Sequence, residues 1–334
     1  MQFVVFGAGA VGSVLGGMLS LHRHDVLLIG RPALVDAIRN GGLRLKSATG
    51  EYVAHPRGAI TLSRDDVSRD THLLLAVKSY DVDSAVATLA DTIPAETPIV
   101  CLQNGIDSEA AAARRFSRVY GGVVRMTCSM VQPGHASFRA LGRIVFGLHP
   151  KGNAGAADEL VTAFRAVGFD VSSSKSIGDD KWLKMAVNAQ SVFHALVDAR
   201  DQDENEFLDL KVAILEETRR VFKAAKIKAR SADGKDPSIE EMIAEIKRPR
   251  ARRNEHGVKV HNSVWQDFYL KRPYIEAEFI HGPIIALGKE HAVPTPFHEA
   301  SLAIAKRCHA AHSTPQSLRL TDVLAEVAKH GQRA

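Results

Sequence analysis

A doubly wound α/β sheet followed by an all-α C-terminal domain is the architecture this sequence predicts, on three observations. Residues 2–6, QFVVF, run straight into GAGAVG at 7–12, and a second apolar run, DVLLIG, returns at 25–30. Two later apolar runs, LLLAV at 73–77 and PIVCL at 98–102, each end in polar residues. From residue 176 onward the apolar spacing is helical throughout.

The chain has 334 residues, 45% of them hydrophobic, which predicts one large or two medium domains with sizeable cores. A net charge of +5 suits a small anionic ligand and falls well short of a nucleic-acid footprint. The three cysteines, Cys101, Cys128 and Cys308, are isolated and lack CxxC spacing. That argues against a disulfide framework or zinc knuckle and fits a reducing cytoplasm. No histidine pair has zinc spacing, so no metal is expected. Met1–Leu21 carries no charge, but it lacks a positive leader and five glycines interrupt it, so no membrane segment is expected.

QFVVF is β-branched and apolar, as a buried parallel strand should be. GAGAVG then supplies the spacing G-x-G-x-x-G, and VLGGMLSL at 14–21 continues as a helix. Strand, glycine turn, helix and strand within thirty residues is the context of dinucleotide binding. Gly7 permits the tight turn, Gly9 lets the backbone approach a pyrophosphate, and Gly12 lets the helix pack on the strand. Ala8, Ala10 and Val11 complete the turn, whose helix N-terminus offers N–H groups to phosphates. The second strand ends in Gly30-Arg31-Pro32, with no acid to accept from a ribose 2′-hydroxyl. Arg31 can instead hold a 2′-phosphate, so NADP(H) is the expected cofactor.

In such a sheet, ligands sit outside the carboxyl ends of the strands. Lys78, after LLLAV, is therefore expected near a phosphate or ribose, and Asn104, after PIVCL, near the nicotinamide. An Asn-Gly pair is equally a common plain turn. Residues 120–130 and a hairpin-like 137–148 read as further strands, 156–168 as a helix, and 169–181 as a strand and polar connector. These give domains at 1–175 and 176–334. The second domain reads as helices at 206–226, 237–247, 256–270, 274–290, 295–309 and 318–329.

Within KWLKMAVN at 181–188, a wheel places Lys181, Lys184, Asn188, Ser191 and Ala195 on one narrow stripe of an otherwise apolar helix. A thin polar stripe suits a helix lining a cleft; a lysine snorkelling from a solvated edge is the plainer alternative.

The ordered set GAGAVG, Arg31, AVK at 76–78, QNG at 103–105, KWLKMAVN, SVWQD at 263–267, IEAEFIHG at 275–282 and HAVPTPFHEASL from 291 resembles the ketopantoate reductase (2-dehydropantoate 2-reductase) family over nearly the whole chain. The resemblance implies a Rossmann-type domain followed by a helical domain like the C-terminal domain of 6-phosphogluconate dehydrogenase. It implies NADPH-dependent reduction of a 2-oxo acid to a 2-hydroxy acid, most directly 2-dehydropantoate to pantoate in pantothenate biosynthesis. Residue by residue, it implies Lys184 as proton donor, Asn188 as a substrate contact and Ser263 as a holder of the substrate carboxylate. It implies Glu276 near the nicotinamide ribose, Lys78 and Asn104 on the cofactor side, and Met126–Cys128, Cys128 included, near the nicotinamide. A homodimer is left open, with no membrane or nucleic-acid partner.

The family continues after its asparagine with a second asparagine and a proline, where this chain has Val192 and Phe193, followed by His194. An unpaired substrate hydroxyl there would cost about 1–3 kcal/mol, which opens the door to a different 2-oxo acid. His194 is either a replacement donor or a packing histidine. The basic run KRPRARR at 247–253 reads as a solvated loop. A non-catalytic NADP(H) sensor is the reading from another class, and the retained lysine weighs against it.

Overall fold

The structure is a computed structural model that describes residues 1–152, 155, 157–248 and 261–331. The chain divides into two compact units, the first covering Met1–Asp180 and the second beginning at Lys181. The division expected at 175/176 precedes a helix, Ile177–Asn188, and the division by packing lies inside it.

The first unit holds β1 (Gln2–Phe6), α1 (Ala10–Leu21), β2 (Asp25–Ile29), α2 (Pro32–Gly41), β3 (Leu43–Lys46), β4 (Glu51–Ala54), β5 (Arg57–Ala59), β6 (Thr71–Leu75) and α3 (Val82–Thr92). It continues with β7 (Ile99–Cys101), α4 (Ser108–Ala113), β8 (Val119–Arg125), β9 (Cys128–Gln132), β10 (His135–Phe138), β11 (Arg143–Leu148), α5 (Asp158–Ala166) and β12 (Asp170–Ser173), and α6 (Ile177–Asn188) follows. Eight strands form one sheet in the order β12-β11-β8-β7-β6-β1-β2-β5. Neighbours are parallel except β8 and β11. The chain leaves β1 for β2 on one side and later returns to β6 on the other, so the sheet reverses direction between β1 and β6. That is the switch point where doubly wound sheets bind ligands.

A second sheet, β4-β3-β10-β9, was not foreseen. The expected hairpin at 137–148 is corrected by it. β10 pairs with β9 and β3, whereas β11 joins β8 and β12 in the large sheet. The run 120–130 is likewise divided, β8 going to the large sheet and β9 to the small one. Helix α1 lies between the two sheets. A Cβ at Gly16 would meet Leu28 and Val5 of the large sheet, and one at Gly17 would meet Leu45 and Leu43 of the small one. Adjacent glycines thus let both sheets close on the helix backbone.

All named elements of the second unit beyond α6 are helices: α7 (Ser191–Leu196), α8 (Asn205–Ala224), α9 (Ile239–Lys247), α10 (Ser263–Tyr269), α11 (Ala277–Glu290), α12 (Pro296–Ala310) and α13 (Leu320–Gly331). Helix α8 buries Phe207, Leu210, Ile214, Val221 and Phe222 along one stripe, as an amphipathic helix must. Helix α9 begins with a capping box, Ser238 and Glu241 satisfying each other's backbone amides. The single stripe drawn through 181–195 is a second correction. Helix α6 ends at Asn188, α7 starts at Ser191, and Lys181 and Ala195 are buried. Of the basic run, Lys247 approaches Glu216 and Arg248 pairs with Glu245, while 249–253 lie outside the described residues.

Candidate functional site

At the switch point the glycine turn is built as its spacing requires. Gly7 has φ +102°, and a Cβ there would lie 2.5 Å from the Val77 nitrogen. A Cβ at Gly12 would lie 2.6 Å from the Gly7 carbonyl oxygen. Gly7 and Ala8 donate to the Ile29 carbonyl, and Ser13 N–H donates to the Gly9 carbonyl. Gly9 is different. It caps α1 with an ordinary φ of −76°, and a Cβ there would meet no protein atom within 4 Å. The packing of the fold does not require glycine at that position. No side chain caps α1 and no acid occupies its first turn, so its N-terminus suits phosphate oxygens.

The neighbouring strands supply the other groups. Arg31 follows β2 as the N-cap of α2, with Pro32 at the first helical position, and its side chain is exposed. Lys78 follows β6 and is half-buried. Asn104 follows β7, and its carbonyl accepts from Ser79 Oγ at 2.8 Å. The sequence reading missed Gln103, whose buried amide donates to the Leu75 and Val77 carbonyls at 2.7 and 3.1 Å. It braces the loop carrying Lys78 to the loop carrying Asn104. Gly7–Gly12, Arg31, Lys78 and Asn104 thus gather at the ends of four adjacent strands. Cys128 starts β9 in the small sheet, and its thiol is buried in the core of the first unit.

In the second unit, Lys184 and Asn188 lie one turn apart on α6, both half-buried. Ser191 Oγ donates to the Asn188 carbonyl, and the Ser191 carbonyl accepts from Asn262 Nδ2 at 3.1 Å. Asn262 also caps α10, accepting from Trp265 N–H. It thereby ties the start of α10, whose first residue is Ser263, to the start of α7. Buried Asp267, one turn further along α10, accepts the Glu276 N–H at 2.9 Å and so holds the start of α11. Glu276 is itself buried. The sequence named the four ends of this arrangement and missed Asn262 and Asp267. An asparagine just before a helix was the one available signal for a cap.

Val192 and Phe193 point into the helical core, fully buried. His194 Nδ1 lies 3.1 Å from Gln202 Oε1, and its ring packs edge-on to Phe207, which favours a packing role. Among the described residues there is no cluster of metal-ligating side chains and no helix long and apolar enough to cross a membrane.

A reversed parallel sheet with a glycine-turned helix at its switch point, followed by an all-helical unit, is an architecture used by dinucleotide-dependent oxidoreductases. The chain belongs to the ketopantoate reductase family: the family model "Ketopantoate reductase PanE/ApbA" matches residues 3–151, and its C-terminal counterpart matches 176–309. The 2-dehydropantoate 2-reductase of Pyrococcus horikoshii is 28% identical over 310 residues, covering 92% of this chain and 97% of that protein. Among solved structures, the 2-dehydropantoate 2-reductase of Methylococcus capsulatus superposes with a TM-score of 0.72 at 27% identity, covering 94% and 98% of the two chains. A D-mandelate dehydrogenase solved with NADH and anilino(oxo)acetate shares the fold, with a TM-score of 0.77 at 22% identity over 93% and 99%.

Proposed function

We propose that the protein is an NADPH-dependent reductase of a 2-oxo acid, with 2-dehydropantoate as substrate and pantoate as product. The observation that supports this reading is the Asn262–Ser191 bond, which ties the start of α10, where Ser263 sits, to the start of α7, three residues after Asn188. In this reading residues 1–175 bind the cofactor and 176–334 hold the substrate, in the cytoplasm. Gly7–Gly12 and Lys78 take the phosphates and ribose, Arg31 the 2′-phosphate, and Asn104 and Cys128 the nicotinamide side.

When bound, the reduced nicotinamide supplies a hydride to the keto carbon. Negative charge then grows on the keto oxygen, and the Lys184 ammonium stabilises it and delivers the proton that completes the alcohol. Asn188 donates to the same oxygen or to a neighbouring hydroxyl. Ser263 donates to the substrate carboxylate, which orients the ketone. Glu276 accepts from the nicotinamide ribose. Turnover of 2-dehydropantoate with NADPH, against a panel of other 2-oxo acids, tests the whole; no oxidation with any of them would sink it. The departure from the family pattern at Val192 and Phe193, which pack in the helical core, motivates one second reading, the same chemistry on a different 2-oxo acid, and the same panel decides it.

Arg31 gives a separate expectation. Its backbone carbonyl caps α2, but its side chain is exposed, so Arg31→Ala should leave the fold intact. Losing a charge-assisted pair with a phosphate should raise the KM for NADPH about tenfold or more and leave that for NADH little changed. Equal effects on both cofactors in steady-state assays would remove the arginine from 2′-phosphate recognition.

A further inference from the structure

Within the second unit lies a buried hydrogen-bond chain for which the reduction has no use. Thr218 Oγ1, on α8, donates to the Ile214 carbonyl at 2.8 Å and meets His298 Nε2, on α12, at 2.9 Å. His298 Nδ1 in turn meets His281 Nδ1, on α11, at 2.9 Å. All three side chains are fully buried.

The tautomers follow from counting hydrogens. The threonine has one, spent on Ile214, so it accepts from His298 Nε2–H. His298 Nδ1 is then a lone pair, and His281 Nδ1–H donates to it. His281 Nε2 is left as an acceptor, buried and without a hydrogen-bond partner among the described residues. The chain has no seat for another proton. At His298 it would set two N–H groups head-on, and at His281 it would leave a buried cation unpaired. The charged groups around it are engaged elsewhere. Glu217 on α8, near Arg220, accepts the Phe297 and His298 backbone amides. Glu299 on α12 takes Thr295 Oγ1 and approaches His330 of α13, and Glu278 on α11 pairs with Lys306 on α12.

We propose that this relay is a positioning device: it clamps α11, and with it Glu276, onto α8 and α12, and it lets the start of α11 loosen when acid adds a proton. The proposal rests on the reading of Glu276 given above. Helix α11 starts just after Glu276, so His281 fixes the register of the turn that carries it.

The pH direction can be worked out. Burial holds both histidines below their ordinary 6.5, His281 at about 3. Their contribution to stability is therefore full above 6.5 and fades as pH falls toward 3. Glu217, pushed up from 4.5 to about 7 by burial, has the opposite sign: its contribution is full below 4.5 and lost as pH rises through 7. Between 4.5 and 6.5 two histidines outweigh one carboxyl, so acid destabilises.

The test compares the full-length wild type with His281→Asn and His281→Leu. Asparagine puts an amide N–H where Nδ1 sits and has nothing to protonate. Thermal melts, kcat against pH, and hydrogen exchange over residues 277–281 without ligands are measured between about pH 5 and about pH 7.5. In the wild type, Tm should fall toward acid and exchange at 277–281 should quicken beyond its intrinsic pH dependence, because the opened segment takes the proton that the closed one refuses. The asparagine variant should keep kcat within about twofold near neutrality and show a weaker acid dependence of Tm and of exchange, since only His298 of the relay is left to titrate. The leucine variant should lose about tenfold or more of kcat at every pH and exchange faster in that segment. The proposal fails if asparagine retains the wild-type pH dependence, or if leucine matches the wild type in kcat and exchange. Should both variants fail to fold, wild-type exchange with no acid-dependent quickening at 277–281 overturns it. Were the reductase reading wrong, no 2-oxo acid would turn over, yet melting and exchange would still follow the relay.

Discussion

Lys184→Ala should lower kcat by about 100- to 10,000-fold while NADPH still binds. Alanine is the best helix former, so α6 should persist. Asn188 and Ser263 keep their anchors, because the Ser191 and Asn262 bonds do not involve the lysine. What the proposed mechanism loses is the ammonium that would offset charge on the keto oxygen and hand over a proton. Lys184→Arg is the control: it keeps the charge, but its proton is not released in the working pH range, so recovery should be slight. NADPH oxidation measures turnover and a fluorescence titration measures cofactor binding. Wild-type kcat in the alanine variant would end the case for the lysine as proton donor. Normal binding with no activity in the wild type itself would favour the sensor.

Gly7→Ala should be the most damaging small substitution in the first unit. A positive φ of this kind costs a non-glycine residue about 1–3 kcal/mol. The new methyl would sit 2.5 Å from Val77 N and 2.8 Å from the Ala76 carbonyl carbon, backbone that cannot swing aside. That backbone is held by parallel pairing of β1 with β6 and by Ala76 N–H donating to the Phe6 carbonyl. Overpacking adds about 1–3 kcal/mol, a large part of the roughly 5–15 kcal/mol that holds a typical domain together. Gly9→Ala is the informative contrast, since its methyl would touch no protein atom. It should leave Tm unchanged and weaken NADPH binding about tenfold or more, as expected of a residue that must let a ligand approach. A Gly9→Ala protein that binds NADPH normally would overturn that assignment, and a Gly7→Ala protein with wild-type Tm would overturn the first.

The sequence was most readable where its chemistry is local. Strand, glycine turn, helix and strand from Gln2 to Ile29 lie where the spacing put them. So do the polar residues after β6 and β7, because parallel strands are short apolar runs with abrupt ends. The small sheet was not readable. Strands β3 and β4, LRLK and EYVA, are short and partly polar, and β3 pairs in parallel with β10, far along the chain. Nothing near residue 44 announces a partner at residue 135. The wheel through 181–195 failed for a related reason: it assumes one continuous helix, and the chain breaks at Ala189-Gln190. Lys184 and Asn188 escaped the error because both precede the break. Asn262 and Asp267 were hidden because their importance lies in whom they bond, Ser191 and Glu276, and not in what they are.

The glycines of α1 also bear on the order in which the first unit assembles. Gly12, Gly16 and Gly17 each weaken an isolated helix by about 0.8–1.0 kcal/mol relative to alanine, so this segment has little reason to coil by itself. It gains its shape only when the large sheet closes on Gly12 and Gly16 and the small sheet on Gly17. Ordering of the glycine turn is therefore coupled to the docking of distant strands such as β3, and a nascent chain lacking them would hold that turn only loosely.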